Sequence, residues 1–278
     1  MDETTADVSF NRNPSNSSEP MPKVEADAVT RIEPETMYYD TAGEKYLIIF
    51  NHIQYKKTIY FGYQRPSSRI GADKDVDKLC EVFDNLGYKV TTYTDLEHLE
   101  ILQKVKELCK KDHKSTSCLC FAFLTHGEKG GDLFAADRPY QFRDVTSIVE
   151  NGHPSLAGKP KIFFVQACRG GQIDSGKRLQ LDGDKASLVI PTHADFLVLY
   201  SSVEDYLSYR DINGSFMIQE LCKVIKEYRE QWDILHIITL VQRRVAFYRT
   251  TYAPSNLSIH DKKQMPETRF TLTKLFMF

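Results

Sequence analysis

The chain has 278 residues, 41% of them hydrophobic, and a formal net charge of −2. That length and composition suit one large domain with a sizeable core. The near-neutral balance carries no polybasic signature for nucleic acid or for a membrane surface. Six cysteines, at 80, 109, 118, 120, 168 and 222, form no CxxC pair, and several lie inside apolar runs. This is the pattern of reduced, buried thiols rather than of a disulfide framework. No stretch approaches the length of a membrane span. The N-terminus, with Asp2, Glu3 and Asp7, has no apolar core and is not a secretory signal. The expected location is the cytoplasm.

In chain order, residues 1 to about 37 are polar and rich in Asn, Ser, Pro and Glu, the composition of a disordered segment. Tyr46 to Phe50 reads as the first strand. From Asp73 to Gly87, apolar residues at 76, 79, 80, 83 and 86 predict a helix that Gly87 stops. Tyr88 to Tyr93 reads as a strand. A second helix is expected to start at Thr94, with Glu97 completing a Thr-x-x-Glu capping box. Its basic positions, Lys104 to Lys111, read as a solvated face. Cys118 to Leu124 is an apolar strand. A Gly-bounded excursion (Gly130 to Asp137), a helix near 142–149 and the strand Ile162 to Val165 follow. Residues 171–192 form a polar, Gly- and Asp-containing linker of the kind that is readily nicked. Then come a strand at Phe196 to Tyr200, helices near 214–229 and 235–247, and a last strand at Phe270 to Phe276. Strands alternating with helices predict an α/β fold, a mostly parallel central sheet with helices on both faces.

Two strands end in reactive residues. Ile162 to Val165 runs into Gln166-Ala167-Cys168-Arg169-Gly170, and Cys118 to Leu124 runs into Thr125-His126-Gly127. Active sites of open parallel sheets gather at such strand ends. If the strands are neighbours, His126 faces Cys168 and can serve as acid/base partner to a thiol nucleophile. Taken alone, Cys168 reads as a buried structural thiol and His126 as a loop histidine. The pentapeptide and the order of the two residues reverse that reading. His113, His153, His193 and His236 show no metal-ligand spacing, and no metal or other cofactor is expected.

The pentapeptide, with a histidine upstream, resembles the signature of the caspase family. Further motifs come in the family's order: Ser68-Arg69-Ile70-Gly71-Ala72-Asp73, Tyr200-Ser201-Ser202 through Tyr206-Leu207-Ser208-Tyr209-Arg210, Gly214-Ser215-Phe216-Met217-Ile218-Gln219 and Lys263-Gln264-Met265-Pro266. The similarity spans about residues 37 to 278 and is to the effector type, Asp-directed cysteine endopeptidases active in apoptosis. It implies catalysis by His126 and Cys168, with the backbone N–H groups of Cys168 and Gly127 holding the oxyanion. It implies a pocket for the substrate aspartate made by Arg69, Gln166 and Arg210. Guanidinium forks pair a desolvated carboxylate bidentately, which is the physical sense of that pocket. Tyr206, Ser208, Tyr209 and Phe216 are implied to receive the upstream residues, Phe216 being alternatively plain helix core. The family often has Trp at the positions of Tyr209 and Phe216, and residues 250–256 lack the Phe-rich run of several relatives.

Val24-Glu25-Ala26-Asp27 and Leu179-Gln180-Leu181-Asp182 each precede a small residue and read as processing sites. They divide the chain into a pro-segment (1–27), a large subunit (28–182) and a small subunit (183–278). Asp174 and Asp184 are rival linker sites. The leader is too short for an adaptor domain, which needs at least about 50 residues. An executioner activated by an upstream caspase is therefore expected. Inhibitor-of-apoptosis-type inhibitors and a homodimer of large/small heterodimers, paired along Phe270 to Phe276, are implied by the resemblance. The alternatives are a catalytically silent caspase-like regulator, which should have lost one of the key side chains, and another Cys/His peptidase, against which the paired arginines argue.

Overall fold

The structure is a computed structural model and describes residues 36–128, 130–170 and 194–278. In chain order the elements are β1 (Glu44–Asn51), α1 (Asp73–Asn85), β2 (Tyr88–Thr94), α2 (His98–Cys109) and β3 (Thr116–Leu124). A short hairpin, β4 (Asp132–Phe134) and β5 (Pro139–Gln141), leads to α3 (Phe142–Glu150) and β6 (Lys161–Gln166). After the segment 171–193 come β7 (Phe196–Tyr200), the hairpin β8 (Arg210–Asp211) and β9 (Gly214–Ser215), α4 (Phe216–Tyr228), α5 (Ile234–Tyr248) and β10 (Glu267–Phe270). The main sheet has six strands in the order β10-β7-β6-β3-β1-β2. All neighbours are parallel except β10, which is antiparallel to β7.

The expected α/β architecture is present, and the residue alternation along the strands explains it. Leu47, Ile49, Cys118, Cys120, Ile162 and Phe164 face one side, packed with residues of α1, α4 and α5. Ile48, Phe50, Phe121, Phe123, Phe163 and Val165 face the other, packed with α2 and α3. A central strand covered on both faces reads as a continuous apolar run, and all nine residues of β3 are buried. Phe121 stacks on Phe163 at 5.1 Å, and Phe142 meets Phe163 edge-on at 5.6 Å. Each such burial contributes about 1.5–3 kcal/mol.

Two boundaries differ from expectation. Thr94 is the last residue of β2, paired with Asn51, and the second helix begins three residues after Asp95, at His98. Asp95 takes a left-handed turn (φ 54°) and its carboxylate accepts the N–H groups of Ile53 and Gln54, which ends the strand there. The capping carboxylate is accordingly Glu100, which accepts the Glu97 N–H at 2.8 Å. The last strand is Glu267–Phe270, not Phe270 to Phe276. Beyond it the chain leaves the sheet to pair with the first described residues: Leu275 N–H donates to Met37 O and Tyr39 N–H to Leu275 O. Phe276 is therefore fully buried beside Tyr39 and Phe278, while Phe270 is 51% exposed at the sheet edge. Asp27 and Asp182, the expected processing sites, lie outside the described residues, as do Asp174 and Asp184. Among the described residues no helix is long and apolar enough to cross a membrane.

Candidate active site

Strands β3 and β6 are adjacent and end level, Leu124 opposite Gln166. One further bond, Thr125 N–H to Gln166 O at 3.0 Å, carries the pairing to the loops that hold His126 and Cys168. The loops touch at Gly127. A Cβ there would lie 2.3 Å from the Cys168 carbonyl oxygen and 3.2 Å from Ala167 Cβ, so only glycine fits. Gly127 faces Leu133 through bonds made by its neighbours, Glu128 N–H to Asp132 O and Phe134 N–H to His126 O. Its own N–H is left out of that ladder. The Cys168 N–H likewise has no acceptor among the described residues, so both remain free to meet an oxyanion.

His126 Nε2 lies 2.8 Å from the Ser67 carbonyl. A carbonyl only accepts, so Nε2 carries the proton and Nδ1 is left to exchange one with the thiol. Burial pushes the imidazole pKa below its ordinary value, the Ser67 contact opposes this, and Arg69 and Arg210 add to the depression. The Cys168 thiol donates to the Ser208 carbonyl at 3.8 Å. Burial pushes its pKa up, while the Ser208 bond and the two guanidinium charges pull it back. Both shifts favour the neutral imidazole and the neutral thiol.

Arg69 is 2% exposed. Its Nη1 donates to Leu124 O at 2.7 Å and His52 O at 2.9 Å, at the ends of β3 and β1. Among the described residues no carboxylate lies within ion-pair distance of Arg69 or of Arg210, which is exposed on β8. Both charges act on both His126 and Cys168. Gln166 Nε2 donates to the Ser208 hydroxyl, and its Oε1 is buried without a partner. The structure therefore gathers His126, Gly127, Cys168, Arg69, Gln166, Ser208 and Arg210 at one end of the sheet. Tyr206 is tied to the catalytic loop, its carbonyl accepting the Arg169 N–H at 3.1 Å. Tyr209 N–H donates to Gln264 Oε1 at 2.7 Å. Phe216 departs from the expected open wall. It is only 5% exposed, the first residue of α4 turned into the core, and stands behind Tyr209 with ring centres 6.4 Å apart.

A family profile described as Caspase domain matches residues 44–277. The chain belongs to the caspase family. It is 38% identical over 237 residues to Caspase-1 of Spodoptera frugiperda, covering 83% of this chain and 77% of that protein. It is 36% identical over 239 residues to Caspase drICE of Drosophila melanogaster, covering 83% and 68%. With Caspase-3 of Xenopus laevis the identity is 38% over 214 residues, covering 76% and 73%. The crystal structure of the Spodoptera Caspase-1 superposes with a TM-score of 0.80 at 35% identity, covering 90% of this chain and 96% of that one.

As an effector-type caspase, the chain is a cysteine endopeptidase directed at Asp in protein substrates, with a role in apoptosis. Sequence reasoning missed several residues that build this caspase's candidate site. Arg169 is buried, ion-paired with Glu267 and Glu204, and lies 4.2 Å over the Tyr200 ring. It pins the Cys168 loop to β7 and β10. Its signal was visible: a charge beside the nucleophile inside the pentapeptide. Gln264 joins Tyr209 to the Ser201 carbonyl, and it stood in a quoted motif without a role. Ser67 acts through a backbone carbonyl, which has no sequence signature.

Proposed function

We propose that Cys168 and His126 carry peptide cleavage after Asp as a thiol–imidazole pair. His126 Nδ1 takes the thiol proton as Sγ bonds to the scissile carbonyl carbon. The N–H groups of Cys168 and Gly127 hold the resulting oxyanion. Collapse breaks the C–N bond, and His126 gives the proton to the departing amine. Water, deprotonated by His126, then releases the acid from the thioester. Arg69, Arg210 and Gln166 bind the substrate aspartate; Tyr206, Ser208 and Tyr209, backed by Phe216, line the upstream subsites. The observation that carries this reading is the contact of Gly127 with the Cys168 backbone, beside the buried Arg69 and the exposed Arg210, neither with a carboxylate in ion-pair distance among the described residues.

The maturation scheme rests on sequence: a zymogen cut at Asp27 and Asp182 into pro-segment 1–27, large subunit 28–182 and small subunit 183–278, by an upstream caspase. Caspase dimer organisation would use the outermost strand β10, Glu267–Phe270. A cytoplasmic location and control by inhibitor-of-apoptosis-type proteins complete the proposal. The test is cleavage of an Asp tetrapeptide against its Asn and Glu versions by wild type, Cys168→Ala and His126→Ala, with intact-mass analysis of the fragments. Wild type should be selective for Asp and both variants inactive. Activity retained in Cys168→Ala would refute the catalytic assignment. A large fragment ending at Asp174 or Asp184 would refute the processing site.

A further inference from the structure

The mechanism leaves unused one buried titratable group in contact with the acid/base histidine. Tyr55, in the loop after β1, is 3% exposed. Its hydroxyl accepts the backbone N–H of His126 at 3.0 Å and lies 2.9 Å from the Thr125 hydroxyl. Thr125 donates its single hydrogen to Phe134 O at 2.6 Å. The direction of the chain is therefore fixed: His126 N–H to Tyr55, Tyr55 O–H to Thr125, Thr125 O–H to the Phe134 carbonyl. The Tyr55 ring also stacks on the His126 imidazole at 5.1 Å and 26°. It is itself held by His52 at 6.2 Å and by Phe61 and Phe134 edge-on at 6.3 Å. A purely space-filling residue needs no hydroxyl here, and a buried phenol is costly unless bonded.

We propose that Tyr55 is a positioning residue for His126. Its hydroxyl fixes the backbone at the histidine, and its ring fixes the imidazole plane so that Nε2 stays on Ser67 O and Nδ1 stays available to the thiol. This rests on His126 being the acid/base group. The charged groups that act on the imidazole are Arg69, from the loop that also holds Tyr55, and Arg210 from β8; Tyr55, packed against it, has its own pKa raised by burial and stays neutral. Tyr55 also acts on Arg69, but Tyr55→Phe and Tyr55→Leu both remove that hydroxyl, so the difference between the two variants reports the ring alone. Losing the ring would open one imidazole face to water and let its pKa climb back toward about 6.5.

The experiment compares Tyr55→Phe, Tyr55→Leu and His126→Ala, prepared from the full chain, as kcat and KM per titrated active site between pH 5 and 9. Tyr55→Phe should lower kcat about tenfold with KM unchanged, the effect of orphaning one buried N–H at the base. Its acid limb should stay in place because the ring remains. Tyr55→Leu should lose at least as much kcat and move the acid limb to higher pH, a change that a merely structural residue would not cause. If Tyr55→Leu fails to fold, Tyr55→Phe decides alone. Wild-type kcat in Tyr55→Phe, or a loss confined to KM, overturns the proposal while an inactive His126→Ala leaves the catalytic reading standing. An active His126→Ala overturns both.

Discussion

A guanidinium that is 2% exposed, with no carboxylate within ion-pair distance among the described residues and Asp75 acting only from farther off, is an expensive arrangement. Arg69 nevertheless holds it, with backbone carbonyls on one nitrogen only. On the proposed reading, a substrate carboxylate supplies the countercharge. Replacing Arg69 or Arg210 by Ala should cost about 2–5 kcal/mol in kcat/KM for Asp peptides, the range for breaking a desolvated charge pair. The two should differ in stability. Arg69→Ala also removes bonds to the ends of β1 and β3 and should lower Tm, whereas Arg210→Ala, exposed on a two-residue strand, should not. Calorimetry alongside kinetics checks both; equal Tm losses would refute the distinction. Cys168, His126, Arg69 and Gln166 were legible as candidates because each sits in a motif, and the structure brings all four to one end of the sheet. Tyr55 and Ser67 were not, since one stands in an irregular loop and the other works through its main chain. Phe216 was half legible, because an aromatic residue beginning a helix suits both a pocket wall and a core.

The elements matter because β3 and β6 end level, so that two loops meet backbone to backbone. Gly127→Ala places a methyl group 2.3 Å from the Cys168 carbonyl and must part those loops. The expected loss is about 100-fold or more in kcat, since a 1 Å displacement at a reacting centre suffices for that. Single-turnover kinetics measures it, and a wild-type rate would refute the contact's importance. Strand identity and helix faces were readable from periodicity, because both core clusters follow the alternation of apolar residues on the sheet. The ends were less so. Thr94 and Glu97 have the spacing of a capping box, yet Asp95, in its left-handed turn, keeps Thr94 in β2. Phe270 to Phe276 is apolar enough for a strand, but tertiary pairing with residues 37–39 turns the chain so that Phe276 enters the core.

For the molecule as a whole, acid stability is set partly by His52. Burial lowers its pKa to about 4. Above about pH 6.5 both folded and unfolded forms are neutral there and contribute no pH dependence. As pH falls from that value toward 4, the unfolded chain takes up a proton that the folded one refuses. Stability then drops by up to about 1.4 kcal/mol per pH unit, levelling off below the folded pKa. His52→Gln removes the titration, so urea melts at pH 7 and 4.5 should differ less in the variant than in wild type.

The tail pairing at 275 with 37–39, together with β6 against β7, joins both sides of the 171–193 segment without using that segment. A cut there would leave the sheet intact but change the order of its unfolding reaction. One folded body would melt into two separate chains, and mass action would then enter the midpoint. The Tm of the cleaved protein should rise with protein concentration more steeply than that of the uncleaved chain, and dilution series in a calorimeter would read the difference directly.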